Sequence, residues 1–299
     1  MVGDILRASG DISSTYPLTE VVSLFQENFS NIDIPDGEAA SRQRSWDDIV
    51  STTALSGLLE NSNQVHRARL LASSSPHSGA WLNATPIASL GLHLDSPAVQ
   101  TAVALRLGAR ICQAHPCRCG LTLVDELGHH ALSCRRSFGR HPRHANINDV
   151  VKRGLAAACI PSRLEPTDTS TQDNSRPDGV TLFPYSQGKS LSWDSTCVDT
   201  FCASAVGATA ASPGAAADRA ERDKRLKYSN ITDRYIFEPI AVETSGVLGS
   251  STTIFLRGLG KRITAQTGDK RETRWLIERV SLAVVRGNAA SIMASSRLD

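Results

Sequence analysis

The chain has 299 residues, enough for two domains at ordinary domain size. At 40% hydrophobic and 21% charged residues, a packed core is possible and a wholly disordered chain is excluded. Seven cysteines, an odd count, and an opening that lacks a basic stretch followed by an apolar one argue against a secreted disulfide scaffold, and no apolar run approaches the roughly 18 residues of a membrane span. A soluble, intracellular protein in a reducing environment is expected, with no membrane partner.

Residues 1–44 mix Ser, Gly, Asp and Pro around one apolar patch, Val21-Val22-Ser23-Leu24-Phe25, and read as a poorly ordered lead-in. From 45 to 72, Trp46, Ile49, Val50, Leu55, Leu58, Leu59, Val65, Ala68, Leu70 and Leu71 recur at helical spacing. After a Ser- and Gly-rich break, Asp95-Ser96-Pro97 predicts a second helix, capped by Ser96, opened by Pro97 and running to Gly108. These segments make a helical region over 45–111.

Residues 112–135 carry soft ligands at close spacing. Cys117-Arg118-Cys119-Gly120 offers two thiolates, and Gly128-His129-His130-Ala131-Leu132-Ser133-Cys134 offers an imidazole and a thiolate one helical turn apart, a pattern able to close a tetrahedral zinc site. Gly120 permits the tight turn that aims both upstream sulfurs at one point. Cys117, Cys119, His130 and Cys134 are the expected ligands, with His129, Cys112 and His115 as substitutes.

The knuckle is followed by a basic block. Between 135 and 163, Arg135, Arg136, Arg140, Arg143, Lys152, Arg153 and Arg163 stand against one acid, Asp149. A field of that sign beside a metal knuckle suits a phosphate backbone, and it also suits a solvated helix face. Within the block, residues 146–159 read as an amphipathic helix stopped by Pro161. Leu164-Glu165-Pro166 reads as a short strand and 167–175 as a polar loop.

Two acids follow: Asp178 in Arg176-Pro177-Asp178-Gly179, and Asp194 in Leu191-Ser192-Trp193-Asp194-Ser195-Thr196. Strand, turn and strand between them predict a hairpin that sets the two carboxylates side by side at strand ends, as a divalent metal on a phosphodiester requires. A flexible linker is expected near 211, then a helix over 215–228 with Lys224, Arg225 and Lys227, a strand over 237–244, and helices over 252–262 and 270–286. The order helix, strand, strand, strand, helix, strand predicts an α/β (α+β) fold, a small mixed sheet flanked by helices. No phosphate loop, dinucleotide fingerprint or nucleophile elbow is present.

Pro-Asp before a hairpin with a second acid beyond it resembles the PD-(D/E)XK nuclease superfamily. With the Cys/His knuckle, Arg143-His144 and Arg176-Pro177-Asp178, the segment from about 105 to 250 looks like the restriction-like endonuclease at the C-terminus of site-specific non-LTR retrotransposon reverse transcriptases. The resemblance implies a zinc knuckle over 112–135, an endonuclease domain over 136–250 and C-terminal helices over 251–299. It implies structural zinc on Cys117, Cys119, His130 and Cys134, and catalytic magnesium on Asp178 and Asp194. DNA is the implied partner, with element RNA as a further one, in the nucleus. It also implies a reverse transcriptase N-terminal to this segment, which these 299 residues do not contain.

Thr196 occupies the position where the superfamily pattern has lysine, so Lys227 or Lys224 from the following helix is expected to act in its stead. Glu165 is a candidate third acid, as is Glu243. Arg135, Arg136, Arg140, Arg143, His144, Arg176 and Tyr228 are the expected nucleic-acid contacts. The expected reaction is Mg-dependent nicking of DNA that leaves a 3′-hydroxyl primer; the rival expectation is a catalytically silent zinc-knuckle module that binds nucleic acid.

Overall fold

A computed structural model describes residues 18–29, 32–36, 39, 42–166 and 176–295. The polar loop expected at 167–175 lies outside the described residues. The chain divides into two compact units, Met1–Ser62 and Asn63–Asp299, a division that falls within the stretch 45–111.

The first unit holds two helices, α1 (Leu18–Asn28) and α2 (Gln43–Glu60). α1 forms inside the stretch read as a lead-in, on the apolar patch noted there. Phe25 meets the Trp46 ring edge-on at 4.9 Å and tilts against Phe29 at 4.6 Å, which ties the two helices together. The helical pattern expected over 45–72 is carried by two helices. α2 stops at Glu60, and α3 (Gln64–Ser74) restarts because the Asn63 side chain accepts the His66 N–H at 2.9 Å.

In the second unit α4 (Ser96–Leu107) follows α3. Its cap is Asp95 in place of Ser96: the Asp95 carboxylate accepts the Ala98 N–H at 2.9 Å, and Ser96 and Pro97 lie in the first turn. Gly108, at φ +69°, ends the helix in the left-handed region. A small hairpin of β1 (His115–Pro116) and β2 (Leu123–Val124) and the short α5 (His129–Ser133) form the knuckle. α6 (Arg140–Ala157) starts six residues before the expected helix.

The four-stranded sheet has the order β3 (Ser162–Leu164), β4 (Gly179–Thr181), β5 (Ser190–Val198), β6 (Tyr235–Glu243). The first two pairings are antiparallel. β5 and β6 are parallel, joined by a crossover through α7 (Val206–Thr209) and α8 (Ala215–Lys227). α9 (Ser250–Thr267) and α10 (Glu272–Met293) complete the chain. The fold is therefore mixed α/β, as its element order predicted.

Leu191 and Trp193 of β5 and Ile240 and Val242 of β6 face a layer made by Ile147, Val151 and Leu155 of α6, Leu256 and Leu259 of α9, and Val280 and Val284 of α10. Burying side chains of this size contributes roughly 1.5–3 kcal/mol each before entropy is counted. Gly179 is forced by this packing, since a Cβ there would lie 2.1 Å from the Trp193 ring. On the opposite face of β5 and β6, Asp194 faces α8, and Tyr228 packs on Phe237 at 4.7 Å.

The segment near 211, read as a flexible linker, is built into the fold. Thr209 is fully buried and its hydroxyl donates to the Thr200 carbonyl at 2.8 Å, and Gly214, at φ +87°, turns the chain into α8. Glu243, a candidate third acid, serves as a helix cap, accepting the Ala216 N–H at 3.1 Å at the start of α8. Glu221 of α8 does the same for α9, accepting the Ser251 and Thr252 N–H groups.

Candidate functional site

Two clusters of ligating side chains stand out among the described residues: Cys117, Cys119, His130 and Cys134, and His144, Asp178 and Asp194. In each, one ligand atom per residue lies within 4.8 Å of all the others.

The first cluster follows from local geometry. The β1–β2 hairpin tightens where Cys117 N–H donates to the Thr122 carbonyl and Gly120, at φ +74°, reverses the chain behind Cys119. α5 sets His130 and Cys134 one turn apart, closed by the Cys134 N–H bond to the His130 carbonyl at 3.0 Å. Cys117 Sγ lies 3.6 Å from Cys134 Sγ and Cys119 Sγ lies 3.5 Å from His130 Nε2. A tetrahedral zinc with Zn–S bonds of about 2.3 Å needs ligand separations of roughly 3.6–3.8 Å, so this Cys3His group could hold a metal such as zinc. Burial pushes Cys117 up to about 11, whereas the Leu121 N–H bond brings Cys119 down to about 6.

The substitutes are occupied elsewhere. His129 Nδ1 pairs with Asp125 at 3.2 Å and its ring stacks on Phe201. Cys112 donates to the Asp125 carbonyl, and His115 bonds the Gln113 carbonyl and Ser295.

The second cluster forms where β4 and β5 part. Asp178 immediately precedes β4, and its N–H donates to the Trp193 carbonyl at 2.9 Å. Asp194 lies midway along β5, not at a strand end, because β4 is only three residues long and leaves the second half of β5 uncovered on that side. Asp178 Oδ2 accepts the Ser195 N–H at 2.7 Å and lies 2.9 Å from His144 Nε2. Lys224 Nζ donates to Asp194 Oδ2 at 2.8 Å. The Asp194 side chain is only 6% exposed and that of Asp178 18%.

The two acids differ in ionisation. Burial pushes Asp178 up, but bonds from His144, Ser195 and Asn148 outweigh it and hold the carboxyl below its usual value. Burial also pushes Asp194 up, and there it prevails; Lys224 opposes the rise and the charge on Asp178 adds to it. The Asp178 hydrogen bond holds the His144 imidazolium, raising its pKa against burial. Two neighbouring carboxyls pushed apart in this way are suited to different roles.

Several expected site residues lie elsewhere. Arg143 is buried at 2% exposure, donating through Nη1 to Asn288 Oδ1 at 2.7 Å and through Nη2 to the Leu132 carbonyl at 3.0 Å, so its guanidinium is committed to bracing α6 against α10 and the knuckle. Tyr228 is fully buried and stays beside the acids, its hydroxyl donating to the Arg176 carbonyl at 2.9 Å and its side chain also bonding Asp194, so it supports the cluster from within and is not a surface contact. Lys227 is exposed and sits over the Tyr228 ring at 5.0 Å; of the two candidate lysines, Lys224 reaches the acids. Glu165 is exposed at φ +49° and lies outside the acid cluster. Arg135, Arg136, Arg140 and Arg176 are exposed.

His144, read as a nucleic-acid contact, belongs to the acid cluster. Asn148, missed in the sequence, supports it: its Oδ1 accepts from Ser195 Oγ at 2.7 Å and from Trp193 Nε1 at 3.0 Å, and it also bonds Asp178. The signal for it was its position four residues after His144 on one helix face. No family model matches this chain, and no curated protein matches it.

Proposed function

We propose that this chain is a metal-dependent nuclease module that hydrolyses a DNA phosphodiester, and that it derives from a retroelement. The observation that carries the reading is the approach of the Asp178 and Asp194 carboxylates to within 4.8 Å; two oxygens on one ion at about 2.1 Å each stand at most about 4.2 Å apart, so a small side-chain adjustment would let both hold it. The retroelement origin rests on the order of the knuckle, Arg143-His144, Arg176-Pro177-Asp178 and Asp194 along the chain.

Carboxylate oxygens are the ligands Mg²⁺ takes, and an imidazole is not; His144 therefore stays hydrogen-bonded to Asp178 and orients it. A Mg²⁺ held by Asp178 and Asp194 would neutralise developing phosphate charge and lower the pKa of a bound water. Lys224, fixed on Asp194, presents a cation where charge builds in the transition state. The water oxygen attacks phosphorus, the bond to the 3′ oxygen breaks, and that oxygen takes up a proton to leave a 3′-hydroxyl and a 5′-phosphate. The knuckle, with zinc, holds the adjoining surface in shape.

Nicking of supercoiled plasmid in Mg²⁺ tests the reading. Wild-type protein should yield open circles and Asp178→Ala none. A folded, zinc-loaded wild type that leaves the plasmid supercoiled overturns it, and the module would then be a nucleic-acid binder without catalysis.

A further inference from the structure

Beside the acid cluster lies a cleft of about 470 Å³ that the nuclease reading has not used. Three elements lead into it from the acids. Arg140 lies four residues before His144 on α6, Thr196 two residues after Asp194 on β5, and Ala220 four residues before Lys224 on α8; all three line the cleft. Residues four apart on a helix share a face, as do residues two apart on a strand, so each element carries its surface from the acids into the cleft over about 6–7 Å. The far wall is the end of the knuckle, at Leu132 and Ser133.

The charge of this lining is unbalanced. Arg135, Arg140 and Arg219 are exposed and form no ion pair among the described residues. Arg143 at the base is committed to Asn288 and Leu132. Of the two acids present, Asp199 is buried and accepts from the Phe201 N–H and the Thr244 hydroxyl, which leaves Asp223 as the one exposed carboxylate against three free guanidinium groups.

We propose that the cleft is a phosphate subsite for the strand being cut, in which Arg140 and Arg219 hold a phosphodiester near the scissile one and Arg135 guides the backbone on toward the knuckle. The proposal rests on the nuclease reading for which phosphate is scissile. Its length matches about two nucleotides of axial rise, at about 3.4 Å per nucleotide on one strand. Guanidinium groups suit phosphate oxygens through paired N–H donors, and both side chains project from helices whose positions the sheet fixes.

The test is the salt dependence of binding of a fluorescein-labelled DNA duplex, followed by anisotropy in buffer without added Mg²⁺, alongside the plasmid assay. The Arg140→Gln, Arg219→Gln double variant should flatten the slope of log K against log salt by about 0.9, for the one phosphate contact that the pair makes. Lys152→Gln, an exposed change elsewhere on α6, should leave the cleft contribution intact, and the Arg140→Lys, Arg219→Lys variant should restore most of the slope. Wild-type protein that nicks plasmid while the glutamine pair keeps the full slope overturns the subsite and leaves the nuclease reading standing. Protein that binds with the predicted loss of slope but never nicks supports the subsite and removes the nuclease reading. Failure of the wild type to bind overturns both.

Discussion

Lys224 Nζ and Asp194 Oδ2 lie 2.8 Å apart although 30 residues separate them in sequence. The crossover of α8 over β5 brings them together, so a neighbouring helix places a cation on the strand acid. Asp194 is nearly buried and Lys224 about a quarter exposed, which makes this pair less screened than a surface salt bridge.

Lys224→Ala should therefore lower the nicking rate by about a hundredfold or more, with duplex affinity little changed, whereas Lys227→Ala should alter affinity slightly and rate hardly at all. Single-turnover cleavage and anisotropy on both variants provide the check. A Lys227→Ala protein that loses rate while Lys224→Ala keeps it would reverse the assignment.

The element order, the mixed sheet, the Cys3His group and the pairing of Asp178 with Asp194 were legible because each depends on local pattern: helical spacing, a Pro-Asp turn, ligands within one turn. What the sequence hid were facing relationships across the fold. Nothing local distinguishes Arg143, whose guanidinium is buried against Asn288, from Arg140 one turn earlier, which is exposed. Lys224 and Lys227 share a helix, and only the angle at which α8 crosses β5 selects between them. Glu243 is a strand-end acid in sequence, yet three-dimensional packing makes it the cap of α8.

Arg143 should prove a structural residue. Arg143→Met removes charge-assisted bonds to Asn288 and to the Leu132 carbonyl and leaves those acceptors buried without it, at a cost of about 3 kcal/mol or more. Urea unfolding should show this loss, and the salt slope of DNA binding in the remaining folded protein should match wild type. A flattened slope with unchanged stability would return Arg143 to the DNA surface.

The knuckle should bind one zinc through three sulfurs and one imidazole. His130→Ala should abolish stoichiometric binding and loosen residues 112–135, because ligation supplies folding free energy that so short a hairpin lacks. His129→Ala, which breaks only the Asp125 pair and the Phe201 stack, should retain the metal. Metal analysis of the purified proteins, with hydrogen exchange across the hairpin, separates the two; zinc retained by His130→Ala and lost by His129→Ala would reassign the fourth ligand.

Glu238 on β6 should make stability depend on pH in a direction unusual for a carboxylate. Burial pushes it up to about 7; the Arg225 guanidinium at 3.4 Å opposes the rise and Glu221 adds to it. Because the folded state holds the proton more tightly than the unfolded chain, whose carboxyl titrates near 4.5, the stabilisation is complete below about pH 4.5 and is lost as pH rises through about 7. The side chain is 19% exposed, and the loss across that window amounts to roughly 3 kcal/mol, at about 1.4 kcal/mol for each pH unit between the two ionisations. Glu238→Gln stays neutral throughout and should remove this part of the pH dependence while retaining a polar partner for Arg225. Urea midpoints measured at pH 5 and pH 8 should fall between those values more steeply in wild type than in the variant, and parallel profiles would show that Glu238 ionises normally in the folded chain.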